Sequence, residues 1–271
     1  MGTLYVVATP IGNMEDVTLR ALRVLGEVAV VAAEDTRTTR NLLARHGIAA
    51  RLTALTEHNT ARAVPRLLAT LATADVAVVS EAGTPAISDP GYELVRAAIE
   101  AGYTVSPVPG PSAVLAALVA SGLPAREFTY LGFLPHAAGE RRRLLASVAR
   151  EPRALVFFES PHRLRAMLED LAVAVGERPL ALCREMTKLY EEVFRGPASA
   201  ALDHFRAPRG EFTIVVAPAP DEAPADEDTA RRELARLKRA GLRAAEASAE
   251  VARSTGVPRR RLYDLWPDLD D

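Results

Sequence analysis

The stretch Ser80–Gly91, SEAGTPAISDPG, directly follows the apolar run Asp75–Val79, DVAVV. The run is short and rich in valine, which is typical of a buried β-strand. The stretch after it contains two glycines, two prolines and three hydroxyl side chains, and a helical pattern begins at Tyr92. In α/β proteins, ligands bind beyond the carboxyl ends of such strands, where backbone N–H groups and helix N-termini are free. This stretch therefore predicts a ligand-binding loop in an α/β fold.

Short apolar runs alternate with helical patterns through residues 1–122. The runs are Leu4–Ala8, Val28–Ala33, Asp75–Val79 and Thr104–Val108, and the helical patterns are Asp16–Leu25, Thr36–Arg45, Thr60–Leu71 and Tyr92–Ala101. Asp16 is the expected N-cap of the first helix. This alternation predicts an N-terminal α/β domain with a largely parallel sheet.

A second α/β pattern covers residues 123–218. The predicted strands are Phe128–Leu134, Ala154–Phe158, Leu180–Arg184, Val193–Phe194 and Glu211–Ala217, and the predicted helices are Glu140–Ala149 and Pro161–Val173. Residues 219–228 are acidic, proline-rich and aperiodic, which is typical of a linker. Residues 229–271 predict a small helical tail, in which Ala252, Gly256 and Leu262 have the spacing of a helix-turn-helix.

Composition argues against several classes of protein. The 271-residue chain has a formal net charge of −2, which is not the balance of a uniformly basic nucleic-acid binder. Its one cysteine, Cys183, lies in an apolar stretch, so we expect a buried, unreactive thiol. No apolar run is long enough to span a membrane, and the first residues carry no secretion or lipidation pattern. We therefore expect a cytoplasmic protein.

Three loops at predicted strand ends are rich in turn residues and nearly uncharged: Thr9–Asn13, Ser80–Gly91 and Pro107–Ser112. None is a dinucleotide fingerprint or a Walker A motif. Loops of this composition let a ligand approach the backbone closely, which suits a zwitterionic ligand with a fused heterocycle better than a polyphosphate. Because they belong to one predicted sheet, we expect the three loops to share a cleft.

Eight motifs occur in an order that resembles a known family. They are TPIGN (Thr9–Asn13), EDTR (Glu34–Arg37), EHN (Glu57–Asn59), SEAGTPAISDPG, PGPSA (Pro109–Ala113), FFESPHR (Phe157–Arg163), REMTK (Arg184–Lys188) and GEFT (Gly210–Thr213). Over roughly residues 3–218, the chain resembles the tetrapyrrole-methylase-like superfamily of S-adenosylmethionine-dependent methyltransferases. Gly83-Thr84-Pro85 departs from the Gly-Asp-Pro of tetrapyrrole-modifying relatives, and Pro10-Ile11-Gly12 departs from their glycine-rich first turn. Both departures fit the branch that methylates the 2′-hydroxyl of a cytidine in 16S ribosomal RNA.

The resemblance implies two α/β domains with S-adenosylmethionine in the cleft between them, usually in a homodimer, and a helical extension such as some members carry. The implied substrate is small-subunit ribosomal RNA, either free or in the 30S subunit. The positions that match the family's site for the methionine part are Ile11, Gly83, Thr84, Ile87, Ser112 and Ala113. Those that match its adenosine site are Phe158, Met186, Phe212 and Thr213.

The polar and charged motifs each admit a structural and a functional interpretation. Asp35 or Thr36 can cap a helix, with Arg37 as an ion-pair partner; the same residues at a cleft rim can grip RNA. The tail arginines can follow phosphates or form the solvated face of a helical cap. The predicted RNA-binding residues are Asn13, Glu34, Asp35, Arg37, His58, Arg259, Arg260 and Arg261. No metal is expected, because His58 has no second histidine or cysteine at ligand spacing.

Lysine occurs only at positions 188 and 238 in an arginine-rich chain. Unlike arginine, a partly desolvated lysine can lose its proton, and it can place one compact donor on a ribose oxygen. We predict that Lys188 orients or deprotonates the ribose 2′-hydroxyl, with Glu185 and Asp89 as alternative proton acceptors. The structural alternative is a surface lysine balanced by Glu185, Glu191 or Glu192.

Two other functions are compatible with these motifs. The chain can be a small-molecule methyltransferase that acts on a tetrapyrrole, in which case it modifies a free macrocycle and not small ribosomal subunits. It can also be a helix-turn-helix regulator whose α/β part senses a ligand, in which case it protects duplex DNA and transfers no methyl group.

Overall fold

The computed structural model describes residues 1–86, 91–220 and 227–269. The chain forms two compact units, Met1–Pro218 and Ala219–Asp271. The first unit contains two five-stranded sheets with helices packed on their faces. The predicted α/β class is therefore confirmed.

The first sheet is parallel throughout, with strand order β3-β2-β4-β1-β5. Its strands are β1 (Thr3–Val7), β2 (Val30–Ala33), β3 (Leu52–Ala54), β4 (Val76–Val79) and β5 (Thr104–Val108). The helices between them are α1 (Leu19–Glu27), α2 (Thr36–Arg45), α3 (Thr60–Leu71) and α4 (Tyr92–Glu100).

Helices cover both faces of this sheet, as strand β2 shows. Val31 and Ala33 pack with α1 and α2, whereas Val30 and Ala32 point to the other face and pack with α3 and α4. Burial on both faces explains why the strands read as continuous apolar runs rather than as alternating patterns.

The first helix begins later than its sequence predicts. Asp16 ends a short 3-10 turn, Met14–Asp16, and does not cap α1. The Asn13 side chain accepts a hydrogen bond from Glu15 N and fixes that turn, and Val17 is extended. The N-cap of α1 is Thr18, whose Oγ1 accepts a hydrogen bond from Ala21 N at 3.1 Å. The prediction of Asp16 as N-cap is wrong because the Asn13 turn ends before α1 begins.

The second sheet is mixed, with strand order β6-β7-β10-β8-β9. Its strands are β6 (Phe128–Phe133), β7 (Ala154–Glu159), β8 (Leu180–Arg184), β9 (Glu192–Gly196) and β10 (Phe212–Val216). Strands β6 and β7 are parallel, and the other neighbours are antiparallel. The accompanying helices are α5 (Ala113–Ser121), α6 (Ala138–Ser147), α7 (Pro161–Val175) and α8 (Ala198–His204). The β8–β9 hairpin was predicted, whereas α8 was not.

Helix α5 links the two sheets. It precedes the domain boundary that we predict after Gly122, yet its buried residues Val114, Ala117 and Leu118 pack on the second sheet. Cys183 is buried in the same cluster, where desolvation raises the pKa of its thiol to about 11. The thiol is therefore unreactive at neutral pH.

The second unit is helical. Helices α9 (Glu227–Arg239), α10 (Ala244–Thr255) and α11 (Arg259–Leu265) share a core that includes Leu234, Val251 and Leu262. Gly256 ends α10 at φ +73°, and α10 packs on α11 as the helix-turn-helix spacing predicts. In the parts of the chain that the structure describes, no helix is long and apolar enough to cross a membrane.

Candidate functional site

Three loops meet at the carboxyl edge of the first sheet, where β4, β1 and β5 are neighbours. Thr9 and Gly83 form an antiparallel bridge, in which Thr9 N donates to Gly83 O (2.9 Å) and Gly83 N donates to Thr9 O (3.0 Å). Thr84 Oγ1 donates to Pro111 O at 3.2 Å. The loops after β1, β4 and β5 are thus joined by hydrogen bonds, and we call this arrangement the three-loop cradle.

Gly83 is at a position of the cradle where a side chain would be strained. Its φ is +78°, and a Cβ there would lie 3.3 Å from Ile11 Cγ2. The backbone of the second loop therefore approaches the first loop closely without an intervening side chain. Thr84 and Ile11 lie beside it, whereas the predicted residues Ile87 and Asp89 fall outside the described residues.

The third loop ends at a helix N-terminus. Ser112 is the N-cap of α5, and Ala113 is the first residue of the helix. Free N–H groups at such a position favour an acidic ligand group. Thr9, buried at 4% exposure, adds a hydroxyl whose Oγ1 has no hydrogen-bond partner among the described residues. Buried polar atoms without partners in a cleft are available to a polar ligand.

The second sheet contributes an apolar wall, but not all the predicted residues face it together. Phe158 contacts Tyr130 and Phe133 at centroid distances of 5.5 and 5.4 Å, and it belongs to the same cluster as Met186. Thr213 pairs with Phe158 across the β10–β7 ladder. The Phe212 side chain packs on the other face, in the core with Phe205. Phe212 can therefore reach the cleft only through its backbone.

The REMTK motif ends β8 and begins the loop to β9, residues 185–191, which we call the REMTK loop. The backbone of this loop is strained. Glu185 has φ +48° and Thr187 has φ +67°, conformations that are uncommon for residues other than glycine. Across the described residues, Ala86 in the second loop of the cradle is the one further non-glycine residue of this kind. Such strain persists where surrounding structure imposes it, and it concentrates at functional sites.

The REMTK loop packs directly on the TPIGN loop. A Cβ at Gly12 would lie 2.5 Å from Lys188 Cγ and 2.9 Å from Thr187 Oγ1. Residue 12 must therefore be glycine for this contact to form. The residues of the second sheet that we predict to be catalytic thus lie beside the three-loop cradle of the first sheet.

Lys188 lies between two carboxylates. Its Nζ donates to Glu211 Oε2 at 2.7 Å and to Glu185 Oε1 at 3.1 Å, and Glu185 Oε1 also accepts from Glu211 N at 2.9 Å. Desolvation lowers the pKa of Lys188, but the bonds to Glu211 and Glu185 outweigh it and the pKa is raised. The hydrogen bond from Glu211 N is the largest cause of the lowered pKa of Glu185. The lysine is protonated and the glutamate is ionised at neutral pH.

Sequence analysis missed Glu211 as the second partner of Lys188. Of the partners that it weighed, Glu191 accepts instead from Thr187 N, and Glu192 pairs with Arg184 and His204. Glu211 directly precedes β10, which lies next to β8 in the sheet, and the sequence alone carries no signal of that pairing.

The EDTR motif has mainly structural contacts. Asp35 caps α2 by accepting from Arg37 N and Thr38 N, and it also binds the Arg37 guanidinium. Glu34 Oε2 accepts from Glu81 N at 3.0 Å and so holds the second loop of the cradle. Arg37 keeps 84% of its side chain exposed. The RNA-binding roles of Glu34, Asp35 and Arg37 remain predictions.

The other predicted RNA-binding residues belong to three different parts of the structure. His58 is exposed after β3, the edge strand furthest from β1 and β5. Asn13 caps the turn that follows the TPIGN loop. In the helical unit, Arg259 donates to Ala245 O at 3.2 Å, and Arg260 and Arg261 are exposed on α11. No cluster of metal-ligating side chains occurs among the residues for which coordinates are described.

The FFESPHR motif ties two loops of the second sheet together. Glu159 is buried and accepts from Ser160 N, while Arg163 contacts Glu159 and donates to the carbonyls of Leu134 and Pro135 at 2.6 and 3.2 Å. Desolvation raises the pKa of Glu159. The motif therefore fixes the loops after β6 and β7, next to Phe158.

Several solved structures with the same fold are named methyltransferases. The chain resembles a uroporphyrin-III C-methyltransferase from Thermus thermophilus at 26% identity and TM-score 0.57, over 80% of this chain and 94% of that one. A structure of a protein with that name from the same organism, complexed with S-adenosylhomocysteine, has a TM-score of 0.58 at 22% identity, over 80% of this chain and 97% of that one.

Full-length relatives are more similar. A protein of Mesorhizobium japonicum named ribosomal RNA small subunit methyltransferase I is 47% identical over 99% of this chain and 92% of its own length. A protein of Thermotoga maritima with the same name is also 47% identical, over 80% of this chain and 98% of its own length. Residues 3–202 match the family model for tetrapyrrole (corrin/porphyrin) methylases. The chain therefore belongs to the tetrapyrrole methylase family and, within it, to the ribosomal RNA small subunit methyltransferase I group.

Proposed function

We propose that this protein transfers a methyl group from S-adenosylmethionine to the ribose 2′-hydroxyl of a cytidine in small-subunit ribosomal RNA. The observation that carries the proposal is the three-loop cradle, which is joined by the Thr9–Gly83 bridge and contacted by the REMTK loop. The 47% identity to small-subunit methyltransferases over almost the whole chain supports the choice of RNA as substrate.

The chemistry of the cradle fits S-adenosylmethionine. Backbone groups, the unpartnered hydroxyl of Thr9 and the N-terminus of α5 suit the amino-acid part, and the aromatic cluster around Phe158 suits a purine. When bound, the cofactor supplies an electrophilic methyl group on its sulfonium.

The reaction requires that the ribose oxygen be aligned and that its proton be removed during attack. Lys188 keeps its proton at neutral pH, because Glu211 and Glu185 hold it as an ammonium. We therefore assign to Lys188 the orienting role, as a hydrogen-bond donor to the ribose oxygen. Glu185, which is ionised, and Asp89 are the candidate proton acceptors.

The RNA contacts, the homodimer and the cytoplasmic location belong to the same proposal. Small ribosomal subunits are assembled in the cytoplasm of bacteria, so an enzyme that modifies them works there. The family resemblance supports the homodimer and the choice of the residues that bind the RNA.

The deciding experiment maps ribose methylation in ribosomal RNA from cells with and without this gene. We expect one cytidine of the small-subunit RNA to lose its 2′-O-methyl group in the deletion strain and to regain it when purified protein and S-adenosylmethionine are added to 30S subunits. An unchanged methylation map, with methylation of a free tetrapyrrole by the purified protein, would instead support the small-molecule function.

A further inference from the structure

Leu189 and Tyr190 form the tip of the REMTK loop. They occupy the two central positions of a turn that is closed by the hydrogen bond from Glu191 N to Lys188 O, at 3.1 Å. The two residues are 88% and 68% exposed. Surface turns usually have Gly, Asn, Asp or Ser at these positions. A leucine and a tyrosine side by side in such a turn therefore need an explanation other than turn formation.

The backbone that carries this tip is held by close packing. The preceding turn, closed by Lys188 N to Glu185 O at 3.0 Å, has Thr187 at φ +67° in its third position, where glycine is usual. Two neighbouring glycines allow this close packing: a Cβ at Gly210 would lie 2.4 Å from Glu185 Cγ, and one at Gly12 would lie 2.5 Å from Lys188 Cγ. The tip thus lies on a closely packed and hydrogen-bonded loop, and pre-organisation of this kind lowers the entropic cost of binding.

The acidic side chains around the tip are engaged with partners. Glu191 accepts from Thr187 N, Glu192 pairs with Arg184 and His204, and Glu185 binds Glu211 N and Lys188. Lys188 also balances Glu211. Because these carboxylates are neutralised or hydrogen-bonded, they oppose the approach of a phosphate backbone less than free carboxylates would.

We propose that Leu189 and Tyr190 form a stacking site for an unpaired nucleobase of the RNA at the methylation site. The proposal rests on the proposed function. Single-stranded RNA is held by stacking of its bases on aromatic side chains, and the tip adjoins Lys188, which packs on the TPIGN loop of the cradle. Two side chains cover about one base, whereas a stable contact between two protein copies needs about 800 Å² from each partner. The size of the patch therefore favours a base over a second copy.

The test uses 30S subunits purified from cells that lack the gene, as substrate for wild-type protein and three variants. Tyr190→Ala removes the ring, and Tyr190→Phe keeps it. Val173→Ala is the control, because Val173 is also an exposed apolar residue, near the end of α7 and away from the loops. We expect Tyr190→Ala to raise the KM for subunits about tenfold, the usual scale for one stacked base. Tyr190→Phe and Val173→Ala should stay within about twofold of wild type, and all variants should bind S-adenosylhomocysteine equally.

The outcomes separate this proposal from the function on which it rests. If wild-type protein leaves the subunits unmethylated, the proposed function fails and the stacking site fails with it. If wild type is active and Tyr190→Ala has an unchanged KM for subunits, the proposed function stands and the stacking site is wrong. The stacking site is also wrong if Tyr190→Ala changes the sedimentation of the protein from dimer to monomer without changing the KM, because the tip then contacts a second copy.

Discussion

Thr9 and Gly83 bind each other through both of their backbone hydrogen bonds, at 2.9 and 3.0 Å, although they follow different strands of the first sheet. Both bonds use main-chain groups, so they fix the distance between the first and second loops without using any side chain. The Thr9 hydroxyl is left without a partner among the described residues. The bridge therefore holds two loops close together while leaving a polar atom available to a ligand.

Gly83→Val tests the cradle as the cofactor site. Valine would be strained at this left-handed backbone position and would displace Ile11, so we expect the affinity for S-adenosylmethionine to fall at least tenfold in calorimetric titration. Gly102→Val is the matched control, because Gly102 has φ +79° with nothing within 4 Å of a Cβ. Both variants should lose about 1–2 kcal/mol of unfolding free energy, but only Gly83→Val should lose the ligand. Unchanged affinity in Gly83→Val would exclude this loop from the cofactor site.

Glu34 distinguishes a loop-holding role from an RNA contact. Its Oε2 accepts from Glu81 N at 3.0 Å, and loss of one such bond changes an equilibrium constant about threefold to tenfold. We expect Glu34→Ala to weaken S-adenosylmethionine binding by that factor and Glu34→Gln, which keeps an acceptor, to weaken it less. If instead both variants bind the cofactor normally and raise the KM for 30S subunits, Glu34 contacts RNA as its sequence motif predicts.

Local pattern and parallel-strand geometry account for what the sequence could predict. Asp75–Val79 reads as a buried strand because both of its faces are apolar, and β4 lies next to β1 and β1 next to β5. Loops that end adjacent parallel strands necessarily lie on one edge. The sharing of that edge by TPIGN, SEAGTPAISDPG and PGPSA was therefore predictable without knowing any side-chain contact.

The features that were missed depend on packing or on competition between caps. Asp16 is a good capping residue, but Asn13 and Thr18 both form caps, and the helix starts at the second. The Lys188–Glu211 pair joins residues that are distant in sequence, so it requires the β8–β10 pairing to be known. Helix α5 follows a strand of the first sheet and packs on the second, which no periodicity reveals.

The pH dependence of stability tests the cap of helix α2. Hydrogen bonds from the Arg37 side chain and backbone lower the pKa of Asp35 from 3.8 to about 2. A carboxyl group whose pKa is lowered in the folded state stabilises the fold at pH values above its unfolded-state pKa. This contribution is lost as the pH falls towards the folded-state pKa. We expect wild type to melt higher than Asp35→Ala at pH 5 to 7, and the difference to shrink between pH 4 and 2. A difference that is constant over pH 2 to 7 would show that the carboxylate charge contributes nothing.

Removal of the tail tests its role in RNA binding. The helical unit has its own core, so a chain that ends at Pro220 should keep the first unit folded and bind S-adenosylmethionine as wild type does. Its association with RNA should weaken and depend less on salt, because phosphate contacts release counterions. Replacing Arg259, Arg260 and Arg261 with glutamine in the full chain should reproduce the smaller salt dependence. Equal RNA affinity with and without the tail would make it a structural cap.

Lys188→Arg tests the predicted catalytic group. Arginine keeps the positive charge, but its planar head is larger than the ammonium that Glu211 and Glu185 bind. It also cannot place a single compact donor on the ribose oxygen. We expect turnover of 30S subunits to fall by about two to four orders of magnitude, the scale for a positioned acid, base or donor. Binding of S-adenosylmethionine should change little.

The pH profile then separates the donor role of Lys188 from the role of a base. Its hydrogen bonds to Glu211 and Glu185 outweigh desolvation and raise its pKa above the ordinary lysine value of 10.5. The ammonium therefore persists at pH values below 10.5 and loses its proton only as the pH rises through the raised pKa. If Lys188 acts as a donor, it should not make kcat rise with pH between pH 6 and 9. Glu211→Gln, which replaces one of the two carboxylates that bind Lys188, should lower kcat without creating such a rise. A rising limb in wild type that disappears in Lys188→Arg would show that the lysine acts as the base. A near-wild-type rate in Lys188→Arg would leave it as an ion-pairing residue, and the proton acceptor would then be sought at Glu185 and Asp89.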